Sequence, residues 1–162
     1  PGTGVRYDET TSLFQSLPNA NEITWYCMKG DPRWDQFELW TTLGGLYRGG
    51  VWLKKKAVLQ AEGNYSTEHA YDGSDFRVNY GICSNSSTPS LPSPSEMHNY
   101  FYLPCLLKYM NGRLDNIGEG VYWTSSGDPS RMVSAYRLAF NPTNIDVGSF
   151  FRYAGVTTRP FE

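Results

Sequence analysis

The side chains able to do chemistry are few, and their spacing suits little of it. His69 and His98 each lack a second metal ligand three or four positions away, so neither a zinc nor a non-haem iron site is expected. Both read as surface or hydrogen-bonded core histidines. Cys27, Cys83 and Cys105 are odd in number, far apart and without a CxxC pair, which argues against a zinc knot or a disulfide framework. Three buried thiols are expected, and one disulfide with a spare thiol is the alternative. No GxSxG elbow for a nucleophilic serine occurs. Asp31, Asp72 and Asp75 are candidate calcium oxygens, but "DGSDF" lacks the EF-hand order and its closing Glu. "TLGGLYRGG" lacks the Lys-Ser/Thr ending of a phosphate cradle. Acidic residues are common enough to form pairs at every spacing, and none stands out for acid–base work. We therefore expect no catalysis, no bound metal and no cofactor.

The elements that would position these residues form one domain. The 162 residues can bury a sizeable core, and at 15% aromatic they are not expected to be disordered. A net charge of −2 with no basic stripe disfavours nucleic acid as a partner. No run of 18 apolar residues and no signal peptide occur. The start at Pro1-Gly2 reads as a domain cut from a longer chain, with any export signal or membrane anchor lying outside it.

Residues 1 to 16 read as an extended lead-in. "LPNANEITWYCMKG" predicts a helix capped by Asn19, with Glu22 at capping-box spacing and Ile23, Tyr26 and Cys27 on one face, closed by Gly30. "WDQFELWTTLGG" predicts a second helix with Phe37, Trp40 and Leu43 on its apolar face, stopped by Gly44-Gly45. Lys54 to Lys56 read as a solvated edge. Residues 60 to 99 are loop-rich, and "SNSSTPSLPSPSE" is expected to be an exposed insertion with no core element. "YFYLPCLLKY" has strand length, and Asn111-Gly112 signals a hairpin. "VYWTSS" and "AYRLAF" read as strands. Tyr136, Leu138 and Phe140 face inward, while Arg137 and Ala139 face outward and are free to vary. After the "NPTN" turn, Ile145 and Val147 point inward and Asp146 outward. The alternation breaks in "GSFFRYAG", and "VTTRPF" is a terminal strand. Early helices and late antiparallel strands make the fold class α+β.

Two stretches carry a resemblance. "YFYLPCLLKYMNGRLDNIGEGVYWTSS" and "AYRLAFNPTNIDVGSFFRYAGVTTRPF" resemble the C-terminal half of a large bacterial surface family. The matching positions are Tyr122, Trp123, Ser125, Ser126, Ala135, Leu138, Phe140, Asn144, Val147, Arg152, Gly155, Arg159 and Pro160. Residues 17 to 59 are similar to domains at the ends of fimbrial or lipoprotein chains of Bacteroides-type bacteria, and to the helix of formylglycine-generating-type domains. Residues 60 to 99 match nothing in the family. The resemblance implies a C-type lectin-like fold of the formylglycine-generating-enzyme type, with two helices, a small antiparallel sheet and long loops. It also implies a variable protein of a diversity-generating retroelement. In such systems the adenines of a template copy are replaced at random, so an AAC or AAT codon becomes nearly any codon with the same last base.

Codons ending in C or T cannot encode Lys, Glu, Gln, Trp or Met. Between 124 and 161 the chain has no Lys, Glu, Gln or Trp. At the frequency of the preceding residues about six would be expected. Met132 is the exception, either a fixed position or the product of a template codon ending in G. The variable segment implied is about 124–161. The binding face implied comprises Ser130, Arg131, Met132, Val133, Ser134, Arg137, Ala139, Asp146, Gly148, Ser149, Phe150, Phe151, Tyr153 and Val156. The cluster of Phe150, Phe151 and Tyr153 is expected to be exposed, not buried. Tyr and Arg give large contacts at modest entropic cost, as in antibody loops.

The function implied is non-catalytic ligand binding, adhesin-like, at the cell surface, outer membrane or pilus tip. The expected partners are a protein or cell-surface polymer ligand and other pilus or envelope subunits. A structural fimbrial or envelope domain without a variable ligand is the alternative. An enzyme of the formylglycine-generating type would need a late cysteine pair, and no cysteine follows Cys105. A calcium-dependent sugar lectin would carry EPN, QPD or WND, and all three are absent.

Overall fold

The computed structural model describes residues 16–39, 48–106, 108–115 and 118–158. The lead-in expected over residues 1 to 16 lies almost wholly outside them, as do Trp40, Leu43, Gly44, Gly45, Arg159 and Pro160. The described residues form an α+β fold with two short helices and small antiparallel sheets.

Helix α1, Ala20–Lys29, begins at the predicted cap. The Asn19 side chain accepts from the Glu22 N–H at 3.0 Å, and Glu22 Oε2 accepts from the Asn19 N–H at 2.7 Å. Two N–H groups that no helical carbonyl can reach are thus satisfied reciprocally. Ile23, Tyr26 and Cys27 are buried on one face, and the Gly30 N–H closes the helix on the Tyr26 carbonyl at 3.0 Å.

The second predicted helix is corrected: Arg33–Leu39 is strand β1. Its Arg33, Trp34 and Asp35 pair antiparallel with Trp52, Val51 and Gly50 of β2, Arg48–Lys54. Phe37, expected on an apolar helical face, is 76% exposed. A helical period resting on three side chains is weak, and ladder bonds to a neighbouring strand override it. The second helix is instead α2, Lys56–Ala61, which buries Leu59. The lysines expected at a solvated edge are partly engaged, Lys54 with Glu62 at 2.6 Å and Lys56 with Glu22 at 3.5 Å.

Residues 60 to 99 are mostly loop, as expected, and they contribute to the core; the exposed insertion expected over 84–96 is corrected at its start. Ala70 and Phe76 are buried. Ser84–Ser86, the start of the Ser/Pro-rich run, belong to strand β3, Cys83–Ser86. Strand β4, Tyr100–Pro104, pairs with the far edge of β2, giving the sheet order β1-β2-β4. Val51, Leu53, Phe101 and Leu103 point into the core, and Trp52 and Tyr102 pair on the other face with ring centroids 5.1 Å apart. The predicted hairpin forms between β5, Lys108–Met110, and β6, Arg113–Asp115. Its turn residues Asn111 and Gly112 both have positive φ, 53° and 79°. That is the left-handed pair a two-residue hairpin turn requires and Asn-Gly tolerates.

The remaining strands make a four-stranded antiparallel sheet in the order β3-β9-β8-β7, where β7 is Gly120–Gly127, β8 is Ser134–Phe140 and β9 is Asn144–Phe151. Tyr122, Tyr136, Leu138, Phe140, Ile145 and Val147 line its inner face and are fully buried. Helix α1 packs on this face, and Tyr26 reaches Phe101 of the other sheet edge-on, with centroids 5.8 Å apart. Each large side chain buried here contributes about 2 kcal/mol, so the inner-face residues set the register and the outer face follows.

Candidate functional site

The outer face of the four-stranded sheet follows from that register. Val121, Ala139 and Asp146 lie in one row across β7, β8 and β9, Trp123, Arg137 and Gly148 in the next, and Ala135 and Phe150 beyond them. Strand β9 runs on through Phe151, further than the break in alternation at "GSFFRYAG" predicts. The terminal strand expected over "VTTRPF" is reduced, in the described residues, to one bridge, from Thr157 to Tyr122. Just before it, Gly155 bridges to Tyr109.

The aromatics gather where β9 ends. Trp123 and Phe150 are 6.3 Å apart, Phe150 and Phe151 6.3 Å, and Phe151 stacks on Tyr153 at 5.2 Å with planes 13° apart. Successive strand residues point to opposite faces, so this chain of rings wraps around the strand end instead of lying flat on one side. Phe150 is half-buried between Trp123 and Phe151, and the Lys108 ammonium sits 5.9 Å from its ring centroid. Lys108 is held there by Glu119 at 3.0 Å. Phe151 is 45% and Tyr153 67% exposed.

A second lobe adjoins them. Residues 128–134 form a tight turn in which Asp128 Oδ1 accepts from both the N–H and the hydroxyl of Ser130 at 2.8 Å. The Ser134 N–H donates to the Arg131 carbonyl at 3.0 Å. Arg152 clamps this turn against the end of β9. Its backbone N–H donates to the Val133 carbonyl at 2.9 Å, and its Nε to the Ser134 carbonyl at 2.8 Å. The clamp pushes Met132 and Val133 outward, 63% and 62% exposed, and Arg131 lies over the Tyr80 ring at 5.8 Å. Beneath the lobe, the buried Tyr136 hydroxyl accepts from the Gly81 N–H at 3.0 Å, and burial pushes its pKa up to about 12. It stays a neutral, fixed support.

Of the predicted face, Ser130, Arg131, Met132, Val133, Phe151 and Tyr153 are exposed, with Phe150 half-buried among them. Four expectations are corrected. Ala139 does point away from the Tyr136, Leu138 and Phe140 side, but it is 1% exposed between Val121 and Asp146 and is not free to vary in size. Ser134 is buried under the Arg152 clamp. Gly148 is buried. Ser149 lies opposite Tyr136, so it takes the inward phase of β9 and is half-buried. Arg137 and Asp146 are on the outer face as expected, but they form an ion pair with each other across β8 and β9, and both are half-buried. Their charges are satisfied within the sheet. Val156 is half-buried.

Trp123, Lys108 and Tyr80 pack against residues of the predicted face without having been expected in it. Trp123 had a usable signal, since it falls out of phase with the inward Tyr122 and Thr124. Tyr80 had none, because only tertiary packing brings it beside Arg131.

Among the described residues no group of three or more His, Cys, Asp or Glu side chains could hold a metal ion. Asp72 instead accepts from Ser74, and Asp75 from Arg77. No helix of the described residues is long and apolar enough to cross a membrane. Comparison with models of known families, with curated proteins and with solved structures finds no match to this chain.

Proposed function

We propose that this chain is a non-catalytic, adhesin-like binding domain of a bacterial surface or pilus protein, whose C-terminal face is varied by retroelement mutagenesis. The observation that carries the binding part is the exposed group formed by Phe151 and Tyr153 with Met132 and Val133, at the end of a sheet whose inner-face residues Tyr122, Tyr136, Leu138, Phe140, Ile145 and Val147 are fully buried. Large apolar side chains held in solvent by a rigid frame forgo burial energy and are characteristic of recognition surfaces. The diversification part rests on the resemblance and on the missing Lys, Glu, Gln and Trp between 124 and 161. The C-type lectin-like topology is part of the same proposal. Side chains exposed at the end of β9 and on the 128–134 turn suit a protein or an exposed polymer better than a small molecule, and they would bind without a cofactor. Other pilus or envelope subunits would carry the domain, and any membrane attachment would come from an anchor outside this chain.

The test is the double variant Phe151→Ser, Tyr153→Ser. Its melting midpoint should stay within a few degrees of wild type, about the effect of one kcal/mol or less. Adhesion of particles displaying the variant to immobilised bacterial envelopes and glycan arrays should fall to background. Marked unfolding would show that the rings belong to the core, and unchanged adhesion would remove them from the site. The diversified reading fails if the gene lacks a neighbouring reverse transcriptase and a near-identical repeat differing at adenines.

A further inference from the structure

Cys27 and Cys83 come together in the core although they are far apart in sequence. The pairing of β3 with β9 sets Cys83 opposite Val147 and Asn85 opposite Ile145. Cys83, Val147 and Ile145 are buried, so they lie on the face that α1 covers. Helix α1 lowers Cys27 onto the same spot. Its Sγ donates to the Ile145 carbonyl at 3.5 Å, and Asn85 Nδ2 donates to the Cys27 carbonyl at 3.1 Å. Asn85 thus holds the helix by the very residue that carries the thiol. Cys83 is two residues back along β3 from Asn85, with its side chain on the α1 side. The neighbouring Cys83 thiol, then burial, pushes the Cys27 thiol up, so the Cys27 sulfur is not an activated nucleophile once the core has closed. Cys105 is placed differently. It follows β4, where its N–H donates to the Gly49 carbonyl at 3.0 Å, and burial and Glu119 push its thiol up to about 12.

We propose that Cys27 and Cys83 form a disulfide site, which in an oxidising compartment ties helix α1 to the edge strand β3 and leaves Cys105 as a thiol. The placement rests on packing alone; that the chain meets such a compartment rests on the surface reading above. The oxidant is a small-molecule or protein disulfide. One cysteine thiolate attacks the oxidant's S–S bond and expels a thiolate. The other then attacks the protein sulfur of the mixed disulfide and expels the second. Two S–H bonds are lost, one S–S bond forms, and the oxidant leaves as two thiols. Both sulfurs are buried in the folded chain, so exchange takes place before α1 settles on the sheet. The bond would brace β3, the strand that flanks β9 and hence the frame of the aromatic surface.

The test needs no ligand. The reduced chain is unfolded and refolded in a glutathione redox buffer, its thiols are counted in denaturant, and an unreduced digest is read by mass spectrometry. The expected result is one remaining thiol, a Cys27–Cys83 linked peptide and a melting midpoint raised by roughly 5–15 °C over the reduced chain. Cys105→Ser should keep the link, and Cys83→Ser should keep both of its remaining thiols. Three thiols per chain, a glutathione adduct on Cys27 or Cys83, or a link through Cys105 overturns the proposal. Because thiols are counted in denaturant, a variant that folds poorly still gives an answer.

Discussion

Asn21, wholly buried in α1, satisfies the backbone of the loop that crosses it. Its Oδ1 accepts from the Phe76 N–H at 2.8 Å, and its Nδ2 donates to the Glu68 carbonyl and to Asp75 Oδ1, each at 2.8 Å. Asp75 also takes the Arg77 guanidinium, Nε and Nη2 each at 2.9 Å. Those Arg77 bonds hold the Asp75 carboxyl well below the usual carboxylate range, against the upward push of burial. A carboxyl depressed in the folded state contributes stability that is fully present above its unfolded value near about pH 4 and is lost as pH falls below it. Urea unfolding midpoints should therefore drop below that pH, and Asp75→Asn should flatten part of the drop. An identical acid profile for the variant would show that this carboxylate adds nothing. The sequence marked Asp75 as a weak calcium candidate, whereas its neighbours in space make it a brace. Composition cannot distinguish these roles, because both call for a carboxylate in a turn-rich loop.

Helix α1 and the two strands after it show how far local signals reach. The cap, the buried face and the Gly30 stop of α1 were all legible, because each depends on residues within one turn of one another. Asn19→Ala should cost about 1 kcal/mol of unfolding free energy, measured by urea titration at neutral pH. A cost near zero would mean that Glu22, which also accepts from the Tyr65 hydroxyl and pairs with Lys56, caps the helix without Asn19. The β5–β6 hairpin was legible for the same reason: its turn needs two left-handed residues, and Asn111-Gly112 supplies them. Strand β1 was not legible. Its partner β2 lies across an intervening segment, and nothing inside Arg33–Leu39 announces that pairing. Likewise β3 was hidden in a Ser/Pro-rich run, because its strand state comes from β9 and not from its own composition.

For the molecule as a whole, the fold narrows what a variable surface could change. If sibling copies of this domain exist at the same locus, Arg131, Met132, Val133, Phe151 and Tyr153 should differ freely among them. Ala139 and Ser134 should stay small, since each is almost without solvent contact. Gly148 should accept alanine, whose Cβ would meet nothing nearer than 3.8 Å, but nothing large beside the Arg137–Asp146 pair. Sequencing the copies checks this, and bulky residues spread evenly over Ala139 and Gly148 would refute the assignment of frame and surface. Periodicity and turn chemistry act over a few residues, so the caps, the hairpin and the inward phase of Tyr136, Leu138, Phe140, Ile145 and Val147 could be read directly along the chain. Which outward positions reach solvent could not, and was set by the packed fold. Alternation reports which side of a sheet a residue faces, but its exposure depends on strands, turns and side chains that arrive from elsewhere in the chain. That is how Ala139 and Tyr153, alike in the sequence argument, came to lie on opposite sides of the line between frame and surface.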